Sequence, residues 1–344
     1  MSNLDTCGIE VSAKELLVRL RRQGELEPLR NFTNTPEGRE MLVRYVRQVG
    51  RVVRVCLESS GLYGLDLALA LSAAPGIEVM VANPRAVRHF ANALMQRSKS
   101  DPLDAAVLEE FAARMPFQAW KPPSSAALAL HALARRLREL VEIQTAEKNR
   151  QHAAGLSETT PTAVRRDLAR SLRAQQRAIE RLTRQARQLI AQDPQLRERF
   201  ELLDSIPGIG ETSAVQILGE LTVLAPDLEA RQWVAYAGMD PRQYTSGSSV
   251  HKKTRISKAG NKYLRHSLFM PALVAVQHDP YLGAFYQHLL AKGKLKMQAL
   301  VAVMRKLLHA IHAMFKTHQP YDGSKLYRLP PVPAQEVPSV AIVA

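Results

Sequence analysis

The sequence predicts an α/β domain built on a mixed sheet, then a long helical hairpin, then a mainly α-helical C-terminal domain. Three observations carry this. Short β-branched runs alternate with helical periodicity up to about residue 120. Two long stretches with apolar steps of three, four and seven follow. A further compact segment with a helix-hairpin-helix signal begins near Glu201.

Strands are predicted over Leu4–Glu10, Glu15–Leu20, Leu26–Phe32, Arg51–Glu58 and Ile77–Ala82, and helices over Pro36–Val49, Leu62–Ser72, Pro84–Ala93 and Pro102–Ala113. Val52, Val53, Val55 and Cys56 make the fourth strand a β-branched-rich run. Gly24 is placed to turn the second strand into the third. Thr35 before Pro36 is an N-cap with proline at the first helical position. Three consecutive strands, then helix, strand, helix and strand, is the order of an RNase H-like domain. Lys121-Pro122-Pro123 closes it.

Leu130, Leu133, Leu137, Leu140 and Val141 then repeat at helical spacing. After a break at Gly155–Pro161, Val164, Leu168, Leu172, Ile179, Leu182 and Leu189 do the same. This reads as two helices packed along a coiled-coil seam. Their polar faces are rich in arginine, for example Arg165, Arg166, Arg170 and Arg173. The last unit ends near Tyr327, and the proline-rich tail from Leu329 is expected to be disordered.

Composition narrows the function. No run of about 18 apolar residues is present, so no membrane span is expected, and Met1–Glu10 has no secretion-signal pattern. Cys7 and Cys56 sit in strand-like runs and read as buried, reduced thiols. No CxxC or HxxxH pair suggests zinc. The net charge is +15, and it is unevenly spread: residues 1–120 hold 15 Lys and Arg against 14 Asp and Glu, the remainder 32 against 18. A basic surface in the C-terminal two thirds points to a polyanionic partner.

Four carboxylates stand out. The first strand ends in Gly8-Ile9-Glu10 and the fourth in Leu57-Glu58. Asp101 and Asp104, at i and i+3, share a face at a helix start, where Asp101 as cap and Asp104 in the first turn is also an ordinary helix-opening pattern. Acids converging on one point need cations, and oxygen-only ligands suit Mg²⁺ or Mn²⁺. Such ions act on phosphodiesters by neutralising developing charge.

Ser205-Ile206-Pro207-Gly208-Ile209-Gly210 between two apolar helices is a helix-hairpin-helix pattern, with Gly208 and Gly210 letting backbone N–H groups approach a phosphate. From Pro241 to His278 there is no acid, while Arg242, Lys252, Lys253, Arg255, Lys258, Lys262 and Arg265 surround a Ser-Gly-Ser-Ser loop beginning at Ser246. No GxSxG elbow is present.

Gly8-Ile9-Glu10, CLESSGLY (56–63), KSDPLDA (99–105), SIPGIG (205–210), YAGMDPRQYTSGSSV (236–250) and SKAGNKYLR (257–265), in that order, resemble the insertion-sequence transposases related to the Piv DNA invertases, a group that includes bridge-RNA-guided recombinases. The resemblance implies a RuvC-like domain (1–120) with a DEDD metal set on Glu10, Glu58, Asp101 and Asp104. It implies a coiled-coil arm (121–200) and a C-terminal transposase domain (201–328) whose nucleophile is Ser246, before the tail (329–344). Glu10 stands where that family usually has Asp. Implied partners are donor and target double-stranded DNA, a guide RNA, and further copies of the chain as dimers that pair into tetramers, in the bacterial cytoplasm. Two alternatives stay open: a RuvC-like junction nuclease in which water attacks, and a non-catalytic nucleic-acid-binding protein.

Overall fold

The computed structural model describes residues 5–47, 51–58, 63–96, 98, 100–247 and 250–329, with only the backbone described at Ser246 and at 250–253. The expected disordered tail therefore lies, from Pro330 on, outside the described residues. The chain divides into two compact units, 1–122 and 123–344.

The first unit runs β1 (Asp5–Val11), β2 (Glu15–Arg22), β3 (Glu25–Leu26), β4 (Arg30–Thr33), α1 (Pro36–Val46), β5 (Val53–Glu58), α2 (Leu65–Ser72), β6 (Ile77–Ala82), α3 (Pro84–Ala93) and α4 (Asp101–Arg114). The sheet order is β3-β2-β1-β5-β6, with β4 also on β2. β1 is antiparallel to β2 and parallel to β5, and β5 is parallel to β6, so the sheet is mixed as expected. Thr35 caps α1 by accepting from the Gly38 N–H, and Gly24 turns the chain at φ +91°.

One expected element is corrected. The single strand Leu26–Phe32 is two short strands, because Pro28 has no N–H to give the ladder. Glu27 still bonds back to the Leu20 carbonyl before the break. At the opposite side of the sheet, the Trp120 N–H bonds the Val79 carbonyl of β6.

Two cores cover the sheet. Cys7, Ile9, Val11, Val53, Val55 and Leu57 pack with Leu42 and Val46 of α1 and Leu67 and Leu71 of α2. Cys56, Met80 and Ala82 pack on the other face with Val87 of α3 and Leu108 and Phe111 of α4. Both cysteines are buried and unbridged. Burial pushes both thiols up, Cys56 to about 12 with the Glu58 carboxylate as the second cause.

The second unit is mostly helical. It runs α5 (Ser125–Leu156), α6 (Thr162–Gln192), α7 (Pro194–Asp204), α8 (Glu211–Leu221), α9 (Ala230–Tyr236), β7 (Pro241–Ser246), β8 (Val250–Ile256), α10 (Lys262–Ser267), α11 (Phe269–His278), α12 (Pro280–Ala291) and α13 (Lys296–Thr317). The long helices α5 and α6 pack together. Their Leu130, Leu137, Ala186 and Ile190 join one core with α7, α8 and α13, so the expected arm and C-terminal region share a compact unit. Every residue of α8 from Ala214 to Leu221 is buried, and Gly219 lets α5 close in at Ala134. The hairpin β7–β8 is a second departure from an otherwise helical expectation. No helix among the described residues is long and apolar enough to cross a membrane.

Candidate active site

Side chains alternate across a strand, so a residue's parity fixes its face. On β1, Cys7, Ile9 and Val11 enter the core under α1 and α2, while Thr6 and Gly8 face α4. Glu10 continues the Thr6 and Gly8 series. On β5, Val55 and Leu57 share the first core and Cys56 the second. Ile9 pairs with Leu57 in the parallel ladder, so Glu10 and Glu58 are the next residues of adjacent strands and lie on the α4 face.

What brings α4 to that face is Gly8. A Cβ there would stand 2.2 Å from both the Ala105 carbonyl oxygen and the Glu109 nitrogen, so helix and strand backbones touch. A buried polar clamp holds the contact. Arg21 of β2 donates to both oxygens of Glu109, at 2.8 and 3.0 Å, and to Glu110 at 2.9 Å, and the Thr6 hydroxyl also donates to Glu109. Glu109 is 1% exposed, so its charge depends on this pair, which in turn raises the Arg21 pKa.

Asp104 precedes Ala105 and is thereby carried to the strand ends. Glu10, Glu58 and Asp104 line one cavity of about 580 Å³. Asp101 is exposed and is not part of that wall. Nor is Asp101 the helix cap: Ser100 holds that position in extended conformation, without a side-chain cap bond. Among the described residues no three His, Cys, Asp or Glu side chains already stand close enough together to hold an ion. The donor chemistry fits a hard divalent cation, since the acidic side chains of the wall offer oxygen alone and no sulfur or imidazole. Sequence reasoning missed Arg88 and Asn92 of α3, which line the same cavity. Their i, i+4 spacing was the available signal.

In the second unit, Ser246 ends β7 opposite Val250, and the tip begins at Gly247 with φ +55°. The side chains of Ser246, Lys252 and Lys253 lie outside the described residues. Arg242 and Arg255 are paired directly across the hairpin, and both are exposed. Like charges so placed destabilise a ribbon unless an anion lies near. Arg255 and Lys258 also line a groove of about 490 Å³ with Lys294 and Arg305, two cations the sequence reading did not single out. Lys262 is exposed above the Tyr263 ring, at 5.1 Å. Arg265, expected to face nucleic acid, donates to the Ala237 carbonyl at 2.7 Å and so helps hold the fold.

The base of the hairpin is pinned by the two motifs that flank it. Ser257 bonds Asp240 through both its backbone N–H and its hydroxyl, at 2.9 and 2.5 Å, and the Lys258 N–H reaches the Gly238 carbonyl. Asn261 caps α10 with its side-chain oxygen and donates to Tyr236 Oη at 2.9 Å and to Glu220. Glu220, 2% exposed, also accepts from Arg135 of α5 at 3.0 Å. Gly260 carries the close approach to the Tyr236 carbonyl, where a Cβ would stand at 2.3 Å.

The α7–α8 turn divides its two glycines. Gly208, at φ +94°, packs against the α11 backbone, with Pro271 O at 2.8 Å from a would-be Cβ. Gly210 is the N-cap of α8 and has open space at that position. An approach to a phosphate is thus open at Gly210, whereas Gly208 serves packing.

Comparison with known proteins joins these two regions. Residues 7–161 match a transposase model of the IS110 DEDD type, and residues 200–287 match the model described as "Transposase IS116/IS110/IS902 family". The chain is 31% identical over 296 residues to the "Pilin gene-inverting protein" of Moraxella bovis, covering 85% of this chain and 89% of that protein. It is 25% identical over 329 residues to the "Insertion element IS900 uncharacterized 42 kDa protein" of Mycobacterium paratuberculosis, covering 75% of this chain and 82% of that one. With the IS110 protein of Streptomyces coelicolor it shares 30% identity over 142 residues, 40% of this chain and 35% of that one. A domain of the DEDD type implies a divalent metal. The chain belongs to the IS116/IS110/IS902 family of transposases, enzymes that cut and rejoin DNA.

Proposed function

We propose that this transposase exchanges DNA strands through a covalent phosphoserine link at Ser246, aided by a divalent ion, Mg²⁺ or Mn²⁺, at the carboxylate cavity. The observation that carries the reading is the shared wall of Glu10, Glu58 and Asp104 at the ends of adjacent strands. An ion held there by these three, with Asp101 at the same helix start as a further oxygen donor, supplies neutralisation of charge on the reacting phosphodiester. Ser246 Oγ forms the bond to phosphorus, the hydroxyl proton passes to solvent, and one sugar oxygen leaves with the bonding electrons. The strand rejoins by the reverse attack of a sugar hydroxyl on the phosphoserine. A serine hydroxyl is a weak nucleophile at neutral pH. The cations of the acid-less stretch 241–278 assist by drawing the phosphate to the hairpin and lowering the cost of charge on it.

The exposed Arg242, Arg255, Lys258 and Lys262, together with Lys252, Lys253 and the open backbone at Gly210, bind double-stranded donor and target DNA in this reading, with Gly208 shaping the turn. The family resemblance adds a structured guide RNA and assembly of copies into dimers and tetramers. The second reading, a nuclease in which water attacks, draws on the DEDD character of the first unit alone.

Denaturing electrophoresis of the protein with labelled substrate DNA separates the two. Wild type is expected to give a DNA-linked band, and Ser246→Ala none. A linked band that persists in Ser246→Ala places the nucleophile elsewhere. Metal-dependent cleavage by wild type with no linked band, even on suicide substrates, establishes the water-using nuclease instead.

A further inference from the structure

Helix α6 carries eight arginines and two acids. Six of the arginines, Arg166, Arg170, Arg173, Arg177, Arg181 and Arg184, recur at steps of three and four. At 3.6 residues per turn they fall within about 80° of the circumference, on a straight ridge about 27 Å long. All six are exposed. The opposite side of the helix, through Ile179, Leu182, Ala186, Leu189 and Ile190, packs on the core.

Neighbouring α5 shows what an ordinary charged helix face does. Its arginines have carboxylate partners: Arg135 with Glu220 at 3.0 Å, Arg136 with Glu139 at 3.0 Å, Arg138 with Glu142 at 2.9 Å and Arg150 with Glu147 at 2.7 Å. Among the described residues, none of the six ridge arginines has an acid within ion-pair distance. Glu180, the acid beside the ridge, accepts instead from Gln176 at 2.8 Å. Like charges at i and i+4 weaken a helix, so the ridge is uncompensated in the isolated chain.

We propose that these six arginines form a docking ridge for the phosphate backbone of duplex DNA. A second copy of this chain is a poor occupant, since it carries the same ridge and a net charge of +15. A linear polyanion complements a linear row of guanidinium groups, which bind phosphate oxygens in a bidentate fork. Duplex DNA is the substrate on which the family acts, and about 27 Å spans roughly eight base pairs at ~3.4 Å each. The ridge meets phosphates and not base edges, so it grips DNA without reading its sequence. The inference rests on DNA being the substrate, and is independent of whether Ser246 is the nucleophile.

The test measures binding of the full chain to a random-sequence 30-base-pair duplex, in EDTA so that no cleavage occurs, as log K against log salt. Three proteins are compared: wild type, the six-fold Arg→Gln variant and the six-fold Arg→Lys variant. Each phosphate neutralised adds ~0.9 to the slope, so the glutamine variant is expected to be shallower by about 5 and weaker by on the order of 1,000-fold or more in low salt. The lysine variant is expected to keep most of the slope. The glutamine variant is expected to unfold at or above the wild-type midpoint, because repulsion has been removed. If it fails to fold, the triple variant Arg170→Gln, Arg177→Gln, Arg184→Gln takes its place, with an expected slope change of about 3. A slope equal to wild type in the folded variant overturns the ridge. A change seen with duplex RNA but not with duplex DNA overturns the choice of occupant. The assay reads binding in EDTA and no cleavage, which keeps failure of the ridge distinct from failure of the serine reading.

Discussion

Gly8→Ala tests how the carboxylate cavity is built. The added methyl meets two backbone atoms of α4 at 2.2 Å, against an ordinary contact distance of 3.4 Å, so the helix must retreat by about 1.2 Å. No flexible side chain is there to yield. Overpacking of this kind costs ~1–3 kcal/mol, which for a unit of this size is a fall of about 4–12 °C in its melting temperature. The larger effect is geometric. Asp104 adjoins the displaced residue, and a misplacement of about 1 Å in a catalytic group costs on the order of 100-fold in rate. The assay is metal-dependent strand cleavage of a labelled substrate, measured well below the melting temperature. Duplex DNA binding, which the proposed function assigns mainly to the basic second unit, is expected to stay within about twofold. Leu71→Ala, in the core on the opposite sheet face, is the control for lost stability alone: it is expected to cost ~2–5 kcal/mol yet cleave normally while folded. Cleavage at the wild-type rate by Gly8→Ala would refute the idea that backbone contact at Gly8 sets the site.

Three further outcomes are expected. Asp104→Asn removes one carboxylate charge from the cavity wall, and is expected to abolish cleavage while leaving duplex binding nearly intact in a mobility-shift assay; full recombination by that variant sinks the proposed metal assignment. Asn261→Ala removes the α10 cap and a donor to buried Glu220, and is expected to lower stability by ~2–3 kcal/mol in urea unfolding; an unchanged midpoint removes the pinned-hairpin account. Burial holds the His131 pKa below its ordinary 6.5, with Glu220 opposing and Arg135 assisting. Its unfolded state therefore binds more protons, so stability is full above pH 6.5 and is lost as pH falls below it. His131→Asn is expected to flatten the decline in melting temperature between about pH 7 and 5, and parallel curves for the two proteins would rule the histidine out.

Legibility followed burial. Ile77–Ala82 and Pro84–Ala93 form over the residues expected, because a buried strand and a proline-led helix leave plain periodic and capping signals. The hairpin did not: β8 reads Val-His-Lys-Lys-Thr-Arg-Ile, a run with no apolar alternation to detect. The four residues Ser246-Gly247-Ser248-Ser249, with one glycine, between Tyr244-Thr245 and Val250 were the weak cue. In the site, the places of Glu10 and Glu58 near the ends of two predicted strands were enough to single them out, while the register that makes those strands neighbours is tertiary. The i, i+3 spacing of Asp101 and Asp104 states a shared face but not depth, and depth depends on where α4 is anchored. That anchor, Gly8 against Ala105 and Glu109, spans about a hundred residues and leaves no local mark. Likewise Gly208 reads as a phosphate-loop glycine in sequence, and its packing on α11 is tertiary.

The split at Pro28 has a consequence for solubility. A sheet flank with a continuous row of open N–H and C=O groups is a template on which another chain can add a strand. Here one flank of β2 is met by two short pieces, β3 and β4, offset around a residue that cannot donate. At the far flank, the returning chain at Trp120 occupies the Val79 carbonyl of β6. Neither flank offers a long, regular ladder, so the chain resists joining other copies through its sheet into β-aggregates.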